Sequence, residues 1–217
     1  MVTEGWETGR WYLVRHGETV WNRDGRIHGH VDAELNEHGR QQMRRMARRL
    51  ADCRFSAAYA SDLGRAVESA RIIVEGYGVS VETDPDLREF SYGAWEGLTP
   101  EEAEAQDPEA YAERMALEPD AFAAPNGENT AQLLHRVRRF CERIVAHHEP
   151  SEDVLVVAHA GSIRALLVCL LGLPDDRFWR FTVDCGSLSV VRSHPDGRVL
   201  ERWNEVPCAS GGEGSEA

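Results

Sequence analysis

The 217-residue sequence predicts an α/β layered domain, and three observations support this fold class. Short apolar runs alternate along the chain with segments of helical periodicity. The run "DVLVVAH", Asp153 to His159, is continuous and rich in branched residues, as central strands of parallel sheets are. The composition, 42% apolar and 28% charged, is that of a soluble globular protein long enough to bury a real core.

Five other short apolar runs predict further strands of this sheet. Three of them precede the central run and two follow it, and the last two are joined by the turn "HPDG". The predicted strands are residues 11–14, 57–62, 79–84, 187–192 and 199–203.

Four segments have the apolar spacing of helices. In residues 39–50, Met43, Met46 and Leu50 recur at helical intervals, while four arginines occupy other faces, where contact with solvent is the expected role. Residues 64–75 and 162–171 predict two more helices. A break at residues 125–127 precedes a long helix that carries on one face Leu133, Val137, Phe140 and Ile144.

The chain predicts a single domain over residues 1–207, and no internal repeat is visible. An acidic, Ala-rich segment suggests a helical cap at about residues 96–125, with one or two surface helices in 99–119. Residues 208–217 are small and acidic, a composition that predicts a disordered tail.

The charge balance excludes several classes of partner. A formal net charge of -13 disfavours nucleic acid and anionic membrane surfaces, whose binding needs positive charge. An anionic substrate would therefore need a local positive pocket. The first ten residues have no secretory signal pattern, and the longest apolar stretch is interrupted by His159 and Arg164, as a strand, turn and helix would be. Five scattered cysteines predict reduced thiols in a cytoplasm and no zinc site.

Polar groups cluster at the predicted carboxyl ends of several strands, where ligands collect in open α/β sheets. Each alone has an ordinary structural explanation, such as a hydrogen-bonded histidine or a surface ion pair. Together they are much harder to attribute to coincidence. The residues are Arg15, His16, Ser61, Arg65, Glu89 and His159.

Phosphoryl transfer is the chemistry that uses such a set. Two guanidiniums match the charge on the three equatorial phosphoryl oxygens. A neutral imidazole can attack phosphorus, and a carboxylic acid can protonate the leaving oxygen and then activate water. The sequence has no evident metal-ligand cluster, so the arginines would supply the charge that Mg²⁺ supplies elsewhere. His147, His148 and Glu149 could suggest a metal hydrolase, but adjacent helical residues point apart.

Four motifs in order, "LVRHGET", "SDLGRA", "LREFSYGAWEGLT" and "VVAHAGSIR", resemble the histidine phosphatase superfamily, in its phosphoglycerate-mutase-like branch. The resemblance extends from Tyr12 to about Asn204. It implies a three-layer α/β/α sandwich with a mostly parallel central sheet. It also implies a metal-independent enzyme that needs no cofactor.

The resemblance assigns roles to individual residues. His16 would be the nucleophile that becomes phosphohistidine, Glu89 the proton donor, and Arg15, Arg65 and His159 the residues around the phosphate. Asn22 matches a phosphate-binding position, in the segment "WNRDGRIHGHVD" that also holds His28 and Gly29. The expected substrate-binding residues are Asn22, His28, Gly29, Tyr92, Glu128 and Ser162.

The rim of the pocket favours a phosphomonoesterase over a mutase. A glycerate mutase must bind a carboxylate and a second phosphate, whereas residues 96–120 contain nine acidic residues and Arg114 as the single base. Phe90, Tyr92 and Trp95 offer contacts to a partly apolar leaving group, although core packing is expected for at least one of them.

The expected partner is a small phosphorylated metabolite, and the chain would be a monomer or homodimer. The substrate could be a sugar phosphate, α-ribazole phosphate or a broad range of esters. Two alternatives remain: a cofactor-dependent phosphoglycerate mutase, and a catalytically weak regulatory member of the same fold. A nucleic-acid-binding role rests on the arginine-rich helix alone and conflicts with the net charge.

Overall fold

A computed structural model describes residues 8–115, 124–194 and 196–208 of the chain. A six-stranded sheet has the order β3-β2-β4-β1-β5-β6. The strands β3, β2, β4 and β1 are mutually parallel, and β5 and β6 continue the sheet as antiparallel neighbours. The predicted mostly parallel sheet is thus confirmed. The strands are Arg10–Arg15 (β1), Ala57–Ala60 (β2), Val81–Thr83 (β3), Val154–Ala158 (β4), Leu188–His194 (β5) and Gly197–Glu205 (β6).

Helices connect these strands and cover both faces of the sheet. Three short 3-10 turns, Pro85–Leu87, Gly93–Trp95 and Asp175–Arg180, supplement them. The helices are Val20–Arg23 (α1), Glu37–Arg49 (α2), Gly64–Val74 (α3), Pro100–Gln106 (α4), Pro108–Met115 (α5), Thr130–His147 (α6) and Ala160–Leu170 (α7).

The central strand β4 shows how the layers form. Successive side chains of a strand point to opposite faces, so Val154 and Val156 join the core beneath α6 and α7. Leu155 and Val157 join the core beneath α2 and α3. All five residues of β4 are buried, and each of its valine and leucine side chains contributes about 1.5–3 kcal/mol by leaving water. These two cores confirm the three-layer α/β/α sandwich.

Capping side chains set several boundaries that apolar spacing alone placed differently. Helix α2 starts two residues before the predicted Gly39, because the Asn36 side chain accepts a hydrogen bond from the Gly39 N–H. Helix α7 starts at Ala160 rather than at residue 162, with His159 as its N-cap. Strand β3 is shorter than predicted, since the Asp84 side chain caps the 3-10 turn that follows.

The predicted cap contains two helices, α4 and α5, in its described part. Thr99 and Glu102 form a reciprocal capping box at the start of α4, and Pro100 occupies the first helical position. Residues 116–123 of the predicted cap, and residues 209–217 of the predicted tail, lie outside the described residues. Among the helices that are described, none combines the length and apolar character needed to cross a membrane.

Candidate active site

The carboxyl ends of the parallel strands surround a cavity of 260 Å³. Arg15 ends β1 and His16 follows it, while His159 follows β4 and caps α7. Arg65 lies in the first turn of α3, directly after β2. The cavity is lined by Arg15, His16, Asn22, Arg26, Ile27, His28, Gly29, Arg65, Glu89, Tyr92 and Ala160. Most of the sequence-predicted site residues therefore share one pocket.

His16 is buried and held by its neighbours in one orientation. Its ring Nδ1 lies 2.8 Å from the Gly17 carbonyl oxygen. Because a carbonyl oxygen can only accept, Nδ1 is the donor, and Nε2 carries the lone pair of the neutral ring. Burial, followed by the charges of Arg65 and Arg15, holds the pKa of His16 well below its usual value. The ring is therefore neutral at physiological pH, the form required of a nucleophile.

Two guanidiniums lie beside His16, and hydrogen bonds to other parts of the protein hold each in place. Arg15 donates from Nη1 to the Val183 carbonyl at 2.7 Å. Arg65 is fully buried and donates from Nη2 to the Gly29 carbonyl at 2.8 Å and from Nη1 to Asp32 at 3.1 Å. The Nε atoms of both arginines are buried without a hydrogen-bond partner among the described residues. Each guanidinium thus has an N–H group that no described residue binds.

His159 completes the group around His16. The two imidazole centroids are 5.0 Å apart, and His159 is fully buried. Burial, then the charge of Arg65, lower the pKa of His159 well below its usual value, so this ring too is neutral. Within the described part of the chain, neither of its nitrogens has a hydrogen-bond partner. A neutral imidazole offers one N–H donor to a phosphoryl oxygen.

Glu89 lies across the cavity in the loop after β3. Its carboxylate accepts hydrogen bonds from the Gly161 N–H at 3.0 and 3.1 Å and from the Phe90 N–H at 2.9 Å. Gly161 is in the first turn of α7, where backbone N–H groups point away from the helix. A Cβ atom at residue 161 would lie 2.2 Å from Glu89 Oε1, so only glycine allows this approach.

A hydrogen-bond chain orients Asn22. The Thr19 hydroxyl accepts from the Asn22 N–H and lies 3.0 Å from Asn22 Oδ1 and 2.5 Å from His28 Nε2. The hydroxyl has a single proton, which serves either Asn22 Oδ1 or His28 Nε2. Asn22 Oδ1 also accepts from the Thr19 N–H, which leaves the amide NH₂ of Asn22 for the cavity.

Gly17, which follows His16, is required by packing against α2. A Cβ atom there would lie 2.5 Å from the Gly39 carbonyl oxygen, and Gly39 in turn lies against the Glu18 backbone. The motif "RHG" therefore needs its glycine for a close contact between two backbones.

The aromatic residues after Glu89 divide between the core and the cavity. Phe90 and Trp95 are buried in the apolar cores, while Tyr92 lines the cavity. This confirms that at least one of the three packs in the core.

Two further cations flank Tyr92. The Arg114 guanidinium lies 4.5 Å and that of Arg164 5.3 Å from the ring centroid of Trp179. Arg114 also lies 5.8 Å from the Tyr92 ring. The positive charge beside Tyr92 and Trp179 is greater than residues 96–120 alone predict, because Arg164 comes from α7.

Two of the expected substrate-binding residues do not line the cavity. The Ser162 hydroxyl is buried and accepts from the His159 N–H at 3.1 Å, so it caps the start of α7. The Glu128 carboxylate is paired with Arg136 on α6. His28, Gly29 and Tyr92 do line the cavity.

Several residues near the cavity were not expected from the sequence. Arg26 lines it, and Thr19, Arg136, Arg164 and Trp179 support its walls. Thr19 could have been found as the cap of a short helix, since "TVWN" has a Thr followed three residues later by Asn. Arg26 and Arg164 stand within the segments "WNRDGRIHGHVD" and "VVAHAGSIR", whereas Arg136 and Trp179 carry no local signal.

The alternative metal site at the end of α6 is not assembled. His148 Nδ1 lies 3.0 Å from Glu152 and Nε2 2.9 Å from the Tyr59 hydroxyl, whereas His147 lies against the Arg143 carbonyl. Over residues 8–115, 124–194 and 196–208, no group of three or more His, Cys, Asp and Glu side chains could hold a metal ion.

Comparison with known proteins agrees with this geometry. The chain is 43% identical over 156 residues to phosphoglycerate mutase-like protein 4 of Arabidopsis thaliana, covering 71% of this chain and 67% of that protein. It is 32% identical over 199 residues to phosphoserine phosphatase 1 of Hydrogenobacter thermophilus, covering 92% and 93% of the two chains.

A solved structure from Escherichia coli K-12, described as a putative α-ribazole-5'-P phosphatase, superimposes with a TM-score of 0.85. The sequence identity is 28%, and the match covers 94% of this chain and 100% of that one. The family model for branch 1 of the histidine phosphatase superfamily matches residues 11–206. The chain therefore belongs to the histidine phosphatase superfamily.

Proposed function

We propose that this protein is a metal-independent phosphomonoesterase that hydrolyses a small phosphorylated metabolite through a phosphohistidine on His16. The observation that carries the proposal is the environment of His16: a neutral ring with its Nδ1 hydrogen-bonded to Gly17, beside two guanidiniums that each retain a free donor. Relatives named as phosphatases support phosphatase activity of this family.

In the first half-reaction, the Nε2 lone pair of His16 attacks phosphorus, and the bond to the leaving oxygen breaks. Glu89, as a carboxylic acid, gives its proton to that oxygen, so the product leaves as an alcohol. Arg15, Arg65 and His159 donate hydrogen bonds to the phosphoryl oxygens, where charge develops.

In the second half-reaction, the Glu89 carboxylate takes a proton from water, and the resulting hydroxide attacks phosphorus. The bond between phosphorus and Nε2 breaks, inorganic phosphate leaves, and His16 returns to its neutral state. Glu89 is again protonated, so the cycle closes without a cofactor.

The experiment that tests this proposal traps the intermediate. The enzyme is mixed with a ³²P-labelled phosphomonoester, quenched in alkali, which preserves phosphohistidine, and digested for mass spectrometry. Label is expected on the peptide that contains His16. The His16→Ala variant should lose both the label and turnover of p-nitrophenyl phosphate, whereas Glu89→Gln should lose less. Turnover that survives in His16→Ala would refute the nucleophile assignment.

A mutase remains the second candidate, because Arg114 and Arg164 beside Tyr92 favour a leaving group that carries an anion. A screen of phosphorylated metabolites, run beside a 3-phosphoglycerate mutase assay, separates the two functions. Release of inorganic phosphate without isomerised product supports the phosphatase. The five free cysteines are compatible with our further proposal that the enzyme acts in a cytoplasm, as a monomer or homodimer.

A further inference from the structure

Arg136, on α6, donates all its guanidinium hydrogen bonds to Glu128 and to the backbone of residues 86–89. Nε donates to Glu128 Oε1 and Nη2 to Glu128 Oε2, both at 2.8 Å. The two side chains are only 11% and 14% exposed. This ion pair is therefore mostly shielded from water. Its two parallel hydrogen bonds fix the geometry of the guanidinium and the carboxylate.

The other three N–H groups of Arg136 bind the backbone around Glu89. Nη1 donates to the carbonyls of Asp86 at 2.8 Å and Arg88 at 2.6 Å, and Nη2 donates to the carbonyl of Glu89 itself at 2.8 Å. With the two bonds to Glu128, all five donors of the guanidinium are used. A planar side chain with five donors thus fixes the peptide that carries the proton donor.

Glu128 extends the same contact to the far side of Glu89. Its N–H donates to the Ser91 carbonyl at 2.8 Å, and its Oε2 accepts from the Ser91 N–H at 3.4 Å. Glu89 lies in neither a helix nor a strand, so no regular hydrogen-bond ladder sets its position. Hydrogen bonds from Arg136 and Glu128 hold the backbone on both sides of Glu89 instead.

We propose that Arg136 is a positioning residue for Glu89, and that Glu128 anchors Arg136 instead of binding substrate. This inference rests on the proposed role of Glu89 as the proton donor. A proton donor must lie within hydrogen-bond reach of the leaving oxygen, and small displacements reduce the rate steeply. Lysine cannot replace Arg136, because an ammonium group offers three donors from one point and cannot bridge these acceptors.

The test compares esters that differ in their need for protonation. Phenyl phosphate has a poor leaving group that needs a proton, whereas 2,4-dinitrophenyl phosphate has a good one that does not. For Arg136→Lys, we expect kcat/KM to fall at least about tenfold with phenyl phosphate and less than about threefold with the dinitrophenyl ester. Inhibition by inorganic phosphate should change less than about twofold, since Arg15 and Arg65 are untouched.

Arg139→Lys is the matched control. Arg139 lies on the same helix and pairs with Asp86 through a side chain that is half exposed. This variant should resemble the unmodified protein with both esters. Equal losses with the two esters in Arg136→Lys, or none with either, would overturn the positioning role. If Arg136→Lys does not fold, Glu128→Gln must lose more kcat/KM with phenyl phosphate than with the dinitrophenyl ester. Equal losses in Glu128→Gln would overturn the proposal.

The double variant Glu89→Gln/Arg136→Lys tests whether Arg136 acts through Glu89. If it does, the double variant is no slower than Glu89→Gln alone with phenyl phosphate, because the two losses share one cause. Losses that multiply would contradict the proposal. Glu89→Gln alone examines the proposed function separately: if its losses do not depend on the leaving group, the proton-donor assignment fails whatever Arg136 does.

Discussion

The backbone N–H of Gly161 donates to both carboxylate oxygens of Glu89, at 3.0 and 3.1 Å, across the cavity that holds His16. This contact joins the first turn of α7 to the loop after β3. His159, two residues before Gly161, belongs to the group around His16. One helix terminus therefore sets the distance between the proposed proton donor and the group around His16.

Gly161→Ala should impair catalysis more than stability. The new Cβ would lie 2.2 Å from Glu89 Oε1 and 2.8 Å from the Phe90 ring, and the flexible end of Glu89 is the easier group to displace. We expect a loss of about tenfold or more in kcat/KM for phenyl phosphate, with an unfolding free energy lower by about 1 kcal/mol. Steady-state kinetics and urea unfolding measure the two effects. A large stability loss with normal kcat/KM would contradict this account.

Removal of metal should leave activity unchanged. In the proposed mechanism, the positive charge at the phosphoryl group comes from Arg15 and Arg65, and the described residues offer no cluster suited to a metal ion. Protein dialysed against EDTA is assayed with p-nitrophenyl phosphate, with and without added Mg²⁺, Mn²⁺ or Zn²⁺. Activity that is lost in EDTA and restored by one of these ions would refute the prediction.

His28 should make stability depend on pH. Burial, then the charges of Arg65 and Arg15, lower its pKa from 6.5 to about 4, with Asp32 opposing the shift. Between these values the unfolded chain binds more protons than the folded one, so stability falls as pH decreases from about 6.5 to 4 and changes no further below. One such group corresponds to roughly 3 kcal/mol. His16 and His159 add shifts in the same direction.

The variant His28→Gln isolates this contribution. Urea unfolding of both proteins at pH 7 and pH 4.5 should show a smaller loss of stability in the variant. The same loss in both proteins would mean that His28 is not the group responsible.

Arg114→Gln should affect substrates according to the charge of their leaving group. Arg114 lies over the Trp179 and Tyr92 rings, and Tyr92 lines the cavity. We expect KM to rise about fivefold for phosphomonoesters that carry a carboxylate, which corresponds to about 1 kcal/mol, and to stay unchanged for p-nitrophenyl phosphate. Arg177→Gln, at an exposed arginine paired with Asp176, is the control. Equal changes for both substrates would exclude a role in charge recognition.

Strand-end residues were predictable because their signal is local. Arg15, His16 and His159 directly follow apolar runs, and parallel strands bring their carboxyl ends to one edge of the sheet. Glu128 and Ser162 also stand in recognisable motifs, yet the structure pairs them with Arg136 and the His159 backbone. A motif fixes which residues are present without fixing which partners they contact.

The contacts of Arg136 and Arg164 could not be predicted for a different reason. Both residues lie on helices, where an arginine usually contacts solvent or a nearby carboxylate. Their contacts join α6 to residues 86–89 and α7 to the turn at Trp179. Such contacts depend on how helices pack in the folded chain. The spacing of residues within one helix does not predict them.

The place of β1 in the sheet has a consequence for biosynthesis. β1 pairs with β4 on one side and β5 on the other, the His16 N–H donates to the Ala158 carbonyl, and the Gly186 N–H donates to the His16 carbonyl. As a ribosome releases the chain, His16 emerges before these neighbours and lacks them until residues 158 and 186 have followed. Nascent chains that end before β5 should therefore be inactive, and activity should arise late, in a single step, as the last strands join the sheet.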